Sequence, residues 1–325
     1  MMKKRALITG ITGQDGAYLA KFLLDKKYEV YGLATRRVNQ TFTNLDYLGI
    51  TDKVKILFGD ITDQSSINHA VKTSRPHEFY NLAAMSFVGL SWQEPIHTGN
   101  VNGMGALYCL EAVRNHAPDA KFYQASTSEM YGNNWEDDLS QNEETQFRPR
   151  SPYGSAKVFA HHTTVNYRES YDLFAGTGIL FNHESPIRGL EFVSRKICDG
   201  VAKIKSGMID RIELGNLDSR RDWGFAGDYV KAMWMILQQD QPDDFVIATG
   251  KTWSIPEFLD RAFGYVGIND WTKYVVQNPE YMRLAEVPHL RGNPAKAKEK
   301  MGWEPETSFD SLVELMMKAE LERYS

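Results

Sequence analysis

The chain has few of the features that mark secreted, membrane or metal-binding proteins. Only two of its 325 residues are cysteines, Cys109 and Cys198, which excludes a disulfide framework and a CxxC metal site. The adjacent pair His161 and His162 lacks a third ligand nearby, so we expect no metal ion. No apolar run approaches the roughly 20 residues of a membrane span, and the basic N-terminus lacks the apolar core of a signal peptide.

Charge is also nearly balanced. A net charge of −5 argues against a general binder of nucleic acids or membrane surfaces, although it leaves room for a local basic pocket. We therefore expect a cytoplasmic protein whose partner is neither a nucleic acid nor a membrane.

Short apolar runs alternate with amphipathic helical stretches through the first half of the chain. This alternation predicts right-handed βαβ crossovers and a parallel sheet. Several runs are apolar on both faces, as a sheet covered on both sides requires. The predicted strands span residues 6–9, 29–34, 54–58, 79–83, 122–126, 175–181 and 245–248.

The pattern of alternating strand-like and helical stretches changes after residue 181. Glycine and proline cluster there, and basic helical and loop-like stretches follow. We predict a Rossmann-type doubly wound parallel sheet with a smaller C-terminal α/β substrate lobe. The sheet domain would comprise residues 1–182 plus about 222–252, and the smaller lobe about 183–221 plus 253–325. Further helices are predicted over residues 195–205, 228–237 and 312–321, and a loop over 214–222.

Three glycines stand at the first strand-to-helix turn. Gly10, Gly13 and Gly16 let the backbone turn tightly and let a pyrophosphate approach the amides at the start of the next helix. Their GxxGxxG spacing differs from the GxGxxG of the common dehydrogenase fingerprint. The strand before the turn, the helix after it and its N-terminal position together predict a dinucleotide site.

The residues after the second predicted strand indicate which dinucleotide binds. NAD enzymes usually carry an acidic residue there, whereas this chain has Arg36 and Arg37. A guanidinium suits a 2′-phosphate, which favours NADP, although a solvated basic loop is the plainer alternative. Asp60 and Ile61 follow the third strand, where an adenine contact would fall. A helix N-cap explains Asp60 almost as well.

Tyr153 and Lys157 are four residues apart, which places both side chains on one face of a helix. A phenol has a pKa of about 10 and is a poor base at neutral pH. A neighbouring ammonium favours the phenolate, so we expect Lys157 to lower the pKa of Tyr153. Tyrosine could then accept a proton from a sugar hydroxyl during hydride transfer.

These motifs are similar to those of the extended short-chain dehydrogenase/reductases. Longer strings resemble the GDP-mannose 4,6-dehydratase family over essentially the whole chain. They cover residues 10–16, 123–129, 149–153, 178–186, 214–218 and 221–224, whereas residues 81–84 resemble the broader superfamily. The resemblance implies an NADP-dependent lyase that converts GDP-mannose to GDP-4-keto-6-deoxymannose, assembled as a homodimer or homotetramer.

The resemblance also implies catalytic roles. Tyr153 would deprotonate the C4 hydroxyl, with Lys157 as its partner, and Thr127 would hydrogen-bond the C4 oxygen. Glu129 would remove the C5 proton and protonate the departing C6 hydroxyl. An elimination needs such a carboxylate, and Glu129 follows a predicted strand at the ligand edge of the sheet. From the residues alone, a loop glutamate that caps the next turn explains it equally well.

Binding residues follow from the same resemblance. Those implied for the cofactor are Gly10, Thr12, Gly13, Gln14, Asp15, Gly16, Arg36, Asp60, Ile61, Leu82, Ala83, Ala84, Ser86, Val101, Tyr153, Lys157, His183 and Arg188. Those implied for the nucleotide sugar are Ser86, Thr127, Glu129, Asn182, Val193, Lys196, Arg221, Arg283 and Glu286.

The chain departs from the family pattern at a few positions. Met85 stands where glutamine is common, Leu284 where proline is usual, and Val38 with Asn39 where serines are usual. Two other functions remain open at this point. One is another nucleotide-sugar reductase or epimerase of the superfamily, and the other is a non-catalytic NADP(H)-binding protein.

Overall fold

The computed structural model describes residues 3–36, 41–282 and 284–325. The strands within these ranges are β1 Arg5–Thr9, β2 Glu29–Ala34, β3 Lys55–Phe58, β4 Glu78–Asn81, β5 Lys121–Thr127, β6 Ala175–Leu180, β7 Asn182–Glu184, β8 Ile212–Leu214, β9 Arg220–Arg221, β10 Trp223–Phe225, β11 Asp244–Ile247, β12 Trp253–Ser254 and β13 Val275–Gln277. The α-helices are α1 Gln14–Asp25, α2 Thr43–Tyr47, α3 Gln64–Ser74, α4 Pro95–Gly99, α5 Gly105–His116, α6 Pro152–Tyr171, α7 Val193–Lys205, α8 Ala226–Gln238, α9 Ile255–Tyr265, α10 Ala295–Met301 and α11 Phe309–Arg323.

Seven of these strands form one parallel sheet in the order β11-β6-β5-β4-β1-β2-β3. The order reverses between β1 and β4, and such a switch point opens a crevice at the carboxyl ends of the strands. Helices cover both faces of the sheet, and all six residues of β6 are buried. The predicted Rossmann-type fold is therefore confirmed.

β4 ends two residues earlier than its apolar pattern predicts. Residues 79–83 read as one strand, but the ladder stops at Asn81. The backbone amides of Leu82 and Ala83 instead donate to the hydroxyl of Thr9 at 3.1 Å each. A side-chain acceptor on β1 thus turns the chain out of the sheet, toward the crevice.

Two hydrophobic clusters lie on opposite faces of the sheet, as the alternation along β1 shows. Ala6 and Ile8 face the cluster that α1 and α8 cover, whereas Leu7 faces the one that α3 and α5 cover. A separate cluster joins α7, α9 and α11 around Trp223, which is 1% exposed. The division into two lobes stays a prediction, and this separate core supports it.

The second half of the chain adds three small two-stranded pairs. β7 pairs with β10 in parallel, β8 with β13 in parallel, and β9 with β12 antiparallel. Residues 214–222 were predicted as a loop, but Arg220–Arg221 form β9, because Arg221 pairs with Trp253 across the lobe. No described helix has both the length and the apolar character that a membrane crossing requires.

Candidate active site

A cavity of about 320 Å³ opens at the carboxyl ends of the strands, beside the switch point. The loop after β1, the ends of β4, β5 and β6, and the first turns of α6 surround it. Its lining residues are Gly10, Thr12, Gly13, Gln14, Asp15, Gly16, Leu82, Ala84, Ser86, Val88, Ala125, Ser126, Thr127, Ser128, Glu129, Tyr153, Lys157, Leu180, Phe181, Asn182, His183, Arg188 and Phe192.

The glycine loop needs its glycines for space. Gly10 has φ of +69°, and a Cβ there would lie 2.8 Å from the backbone nitrogen of Ala83. A Cβ on Gly16 would lie 2.3 Å from the carbonyl oxygen of Gly10. Gly13 is the N-cap of α1 and offers no side chain to the first amides of the helix, and residues 13–16 line the cavity. This arrangement fits an anion such as a pyrophosphate.

A buried polar network supports the loop that follows β4. The Thr9 hydroxyl donates to Asn81 Oδ1 at 2.7 Å, and Asn81 Nδ2 donates to Gln124 Oε1 at 2.8 Å. The network therefore links β1, β4 and β5 at the edge of the sheet where the cavity opens. Next along the chain, the backbone of Met85 is held by Asn102, through bonds of 2.9 and 3.2 Å.

His183 is held by an acceptor at each ring nitrogen. Nε2 lies 2.7 Å from Asp15 Oδ2, and Nδ1 lies 2.7 Å from the carbonyl oxygen of Phe181. Neither oxygen can donate, so both nitrogens must carry protons for both bonds to form. Burial disfavours the charged ring, but the Asp15 carboxylate outweighs it and raises the pKa of His183. An imidazolium and a carboxylate therefore pair beside the glycine loop.

The start of α6 places Tyr153 at the cavity. The Ser151 side chain caps the helix by accepting from the Gly154 amide at 3.0 Å. Tyr153 is 6% exposed and Lys157 is 3% exposed, and both line the cavity. The Thr127 hydroxyl lies within hydrogen-bonding reach of the phenol. The predicted pairing of these residues on one helix face is what the structure shows.

The electrostatics of Tyr153 differ from the expectation drawn from its spacing to Lys157. Burial raises the pKa of the phenol, against the opposing effect of the Thr127 hydroxyl. The Lys157 Nζ lies 5.9 Å from the centre of the Tyr153 ring and donates to the Ala125 carbonyl at 2.9 Å. Burial also lowers the pKa of Lys157 to about 8. The ammonium is thus engaged elsewhere, and the desolvation of the phenol dominates.

Glu129 lies in the turn that follows β5. It is 9% exposed and lines the same cavity as Tyr153. The turn over residues 128–130 is capped by the Thr127 hydroxyl, which accepts from the Glu129 amide at 3.3 Å. Thr127 therefore caps the turn that contains Glu129, and Glu129 itself borders the cavity.

Two more predicted residues border the cavity from the segment after β6. The side-chain oxygen of Asn182 is buried and has no hydrogen-bond partner among the described residues. A buried acceptor of this kind calls for a donor, such as a sugar hydroxyl. Arg188 forms an ion pair with Glu184 at 3.0 Å and stacks on the Phe192 ring at 3.5 Å.

Other predicted substrate residues lie outside the lining of this cavity. Arg221 is buried and donates to Glu286 Oε1 at 3.1 Å. The Lys196 ammonium lies 3.6 Å from the centre of the Tyr281 ring, and burial lowers its pKa. Val193 begins α7 next to Lys196. Arg283, like residues 37–40, lies outside the described residues.

The remaining cofactor candidates are also set apart from the lining. Arg36 is exposed at the end of β2, 5.9 Å from the centre of the Phe58 ring. Asp60 accepts from Thr62, and the N-cap of α3 is Asp63, so the capping alternative for Asp60 was wrong. Three further candidates are not among the lining residues either: Ile61, Ala83 and Val101.

Sequence patterns missed several lining residues. Ala125, Ser126, Leu180 and Phe181 follow from a rule that was available, because they sit at the carboxyl ends of β5 and β6. Three others had no comparable signal in the sequence: Val88, Ser128 and Phe192. In the described part of the chain, no group of three or more His, Cys, Asp or Glu side chains is arranged to hold a metal.

Comparisons with known proteins show the family to which the sequence is similar. A family model described as GDP-mannose 4,6 dehydratase matches residues 7–316. GDP-mannose 4,6 dehydratase 2 of Arabidopsis thaliana is 49% identical, over 98% of this chain and 87% of its own. The Homo sapiens GDP-mannose 4,6 dehydratase is 45% identical, over 98% and 91%.

Solved structures show the same fold at low identity. The UDP-glucose 4-epimerase of Thermus thermophilus in complex with NAD has a TM-score of 0.85 at 23% identity, over 97% of this chain and 98% of its own. RMD from Pseudomonas aeruginosa complexed with NADPH has a TM-score of 0.82 at 22% identity, over 99% and 100%.

Proposed function

The chain belongs to the GDP-mannose 4,6-dehydratase family, and we therefore propose that it converts GDP-mannose to GDP-4-keto-6-deoxymannose with NADP as its cofactor. The observation that carries this proposal is that a carboxylate and a phenol border one cavity. Tyr153 and Glu129 both line it, together with Thr127, whose hydroxyl affects the pKa of the phenol. Oxidation at C4 needs only the phenol, whereas loss of water needs the second group.

The residues present fit a dinucleotide. The glycine loop leaves no room for side chains and turns the first amides of α1 toward the cavity, which suits a pyrophosphate. Arg36 would hold the 2′-phosphate of NADP, and Lys157 and His183 would border the nicotinamide half. Held there, NADP would supply reversible hydride transfer, which makes the overall reaction redox-neutral.

Tyr153 would take the proton of the C4 hydroxyl as C4 becomes a ketone. Its raised pKa means that the buried phenol needs compensating charge before it acts as a base. Lys157, with a pKa of about 8, remains mostly protonated at neutral pH and supplies one positive charge on the same helix face. Thr127 would donate to the C4 oxygen and hold it against the phenol.

Glu129 would carry the elimination. The C4 ketone makes the C5 proton acidic, and the Glu129 carboxylate would accept that proton. The C5–H bond electrons form a C5–C6 double bond, and the C6 hydroxyl leaves as water with a proton from Glu129. Hydride return to C6 and protonation of C5 complete the product. The C5 proton would be the one that Tyr153 took from the C4 hydroxyl, because the Glu129 proton leaves in the water.

We propose that arginines recognise the GDP part of the substrate. Arg221 is buried and already paired with Glu286, so its guanidinium is held in one orientation before the substrate binds. Lys196 offers a second positive charge over Tyr281, and Arg283 is the third candidate of the family pattern. Closer to the reaction, Asn182 would satisfy its unpaired side-chain oxygen with a sugar hydroxyl.

The assembly proposed from the family is a homodimer or homotetramer in which α5 and α6 pair between subunits. Phe159 and Tyr171 on α6 are 45% and 53% exposed, which supports a contact on that helix. The cytoplasm remains the compartment that the sequence predicts.

One reaction tests the proposal. The purified protein is incubated with GDP-mannose without added reductant, and the product is followed by mass. We expect the loss of one water without consumption of cofactor. A product of unchanged mass would contradict dehydration and leave an epimerase or a silent binder.

The Glu129→Gln variant tests the role of the carboxylate. Glutamine keeps the size of the side chain but cannot accept the C5 proton, so dehydration should fall by about 10²-fold or more. NADP affinity, measured by calorimetry, should stay within about twofold because Glu129 is not part of the glycine loop. Full dehydration by this variant would remove Glu129 from its role.

A further inference from the structure

The helix face that carries Tyr153 and Lys157 continues to a third buried side chain. His161 follows Lys157 by four residues, as Lys157 follows Tyr153, so all three point the same way from α6. They are 6%, 3% and 5% exposed, respectively. The next residue, His162, is exposed. His161 is not among the residues that line the cavity, so it would not touch the substrate.

Side chains on this face of α6 contact neighbouring residues at the end of β5. The Lys157 ammonium donates to the carbonyl of Ala125 at 2.9 Å, and His161 Nδ1 lies 3.0 Å from the hydroxyl of Ser126. The next β5 residue, Thr127, lines the same cavity as the phenol, and its hydroxyl opposes the rise in the pKa of Tyr153. Two successive strand residues, Ala125 and Ser126, therefore hold Lys157 and His161 on the helix face, and Thr127 and Glu129 follow on the same segment.

His161 is also anchored from behind. Its Nδ1 lies 3.3 Å from the Thr177 hydroxyl on β6, which donates to Asp244 Oδ1 at 2.8 Å. Arg168, near the end of α6, binds both carboxylate oxygens of Asp244, at 3.0 and 2.8 Å. The chain of contacts thus leaves α6 at His161, crosses the ends of two strands and returns to α6 at Arg168.

Burial and these contacts determine the protonation state and the tautomer of the His161 ring. Burial lowers the pKa of His161 to about 4, so the imidazole is neutral at physiological pH. The Thr177 hydroxyl gives its hydrogen to Asp244, so it offers only lone pairs to His161. In the tautomer with its proton on Nδ1, the ring donates one hydrogen bond that is shared between the hydroxyl oxygens of Ser126 and Thr177.

We propose that His161 is a positioning residue for the dehydration, which locks α6 onto β5 so that Tyr153 stays aligned with Thr127 and Glu129. The proposal rests on the proposed function, because alignment matters only if these groups act on one sugar. A displacement of about 1 Å between reacting groups can cost about 10²-fold in rate. The two hydrogen bonds at Nδ1 oppose such a displacement.

The test compares His161→Leu with His161→Asn. Leucine has a similar size and no hydrogen bond, whereas the asparagine amide can occupy the position of Nδ1 and still donate. We expect His161→Leu to lower kcat by about tenfold or more, with the KM for GDP-mannose within about threefold. His161→Asn should restore most of kcat. A merely structural role would reduce the folded fraction and would not separate kcat from KM.

The matched control is His162→Leu, the same substitution at the adjacent exposed residue, which should leave kcat unchanged. Ser126→Ala provides a second approach, because it removes the same hydrogen bond from the strand side and covers a failure of His161→Leu to fold. The effects of Ser126→Ala and His161→Leu on kcat should be non-additive, since both remove the contact between His161 and Ser126.

The outcomes separate the two proposals. If the unmodified enzyme does not dehydrate GDP-mannose, the proposed function fails. If it does, and His161→Leu keeps its kcat or His161→Asn is as slow as His161→Leu, the positioning role is overturned. Additive effects of the Ser126 and His161 variants would overturn it too.

Discussion

His183 shows how a single side chain can place a charge where an anionic cofactor is expected. Its two ring nitrogens face Asp15 and a backbone carbonyl, which requires the protonated ring. The imidazolium cancels the carboxylate of Asp15, which would otherwise repel a pyrophosphate at the N-terminus of α1. The ring also stacks on Tyr229, with 4.7 Å between ring centres.

NADP affinity should therefore fall at alkaline pH, as His183 loses its proton and leaves Asp15 uncompensated. The pKa of His183 is raised, so the loss should begin above the ordinary value of about 6.5. Lys157, with a pKa of about 8, titrates in the same range, so His183→Gln serves as the reference. Calorimetry should show a steeper pH dependence for the unmodified protein than for the variant, and equal slopes would contradict the assignment.

Arg36 is a single residue that tests the predicted preference for NADP over NAD. Its guanidinium lies at the end of β2, where NAD enzymes carry a carboxylate. Arg36→Ala should weaken NADP by about tenfold or more, because a charge-assisted bond to phosphate is lost. NAD lacks that phosphate and should bind about as before. Equal losses for the two dinucleotides, measured by titration, would refute the 2′-phosphate contact.

At the scale of elements, α1 can reach the glycine loop only because Gly16 has no side chain. An alanine Cβ there would lie 2.3 Å from the Gly10 carbonyl oxygen and 2.7 Å from the Cα of Ile11. Both atoms belong to the backbone, so the helix or the loop must move. The same contact sets the amides that face the cavity.

Gly16→Ala should therefore destabilise the protein by about 1–3 kcal/mol and weaken NADP binding. Gly264, inside α9, is the matched control, because a Cβ there would meet nothing within 4 Å. Gly264→Ala should stabilise the protein by about 0.5–1 kcal/mol and leave NADP binding unchanged. Urea unfolding and cofactor titration measure both effects, and similar results for the two variants would exclude the steric explanation.

At the scale of the whole molecule, buried ionisable groups make stability depend on pH in opposite senses. Asp222 is 0% exposed and accepts from the amides of Thr249, Gly250 and Gly292, so it joins the end of β11 to the C-terminal segment. Burial raises its pKa to about 6, so its contribution is present at low pH and is lost as the pH rises through 6. His161 has the opposite effect, because its contribution to stability is lost as the pH falls.

The folded-state pKa of His161 is about 4, below the unfolded value of about 6.5. The unfolded chain therefore takes up the proton first, and the contribution of the neutral ring, about 3 kcal/mol, should be lost between about pH 6.5 and 4. The His161→Asn variant lacks this pH-dependent contribution to the unfolding free energy. Asp222 is present in both proteins, so its contribution cancels in their difference. The difference in unfolding free energy between them should thus shrink on acidification, and a constant difference would contradict the pKa of His161.

Local patterns predicted most of the sheet. The strand runs, the glycine loop and the four-residue spacing of Tyr153 and Lys157 depend on neighbours in the chain, so periodicity and turn chemistry reveal them. The end of β4 at Asn81 was not predictable, because the acceptor that stops the ladder is Thr9, on another strand. Likewise β9 forms only because its partner, β12, lies beside it.

The sequence by itself determined the βαβ alternation, the glycine-rich turn and, through long family-like strings, the chemistry to expect. Only the tertiary structure placed Glu129 beside Tyr153, joined Asp15 to His183 across 168 residues and seated His161 between Ser126 and Thr177. It alone also showed that burial raises the pKa of Tyr153. Contacts and desolvation depend on how segments that are far apart in sequence pack together, and no local sequence pattern encodes that packing.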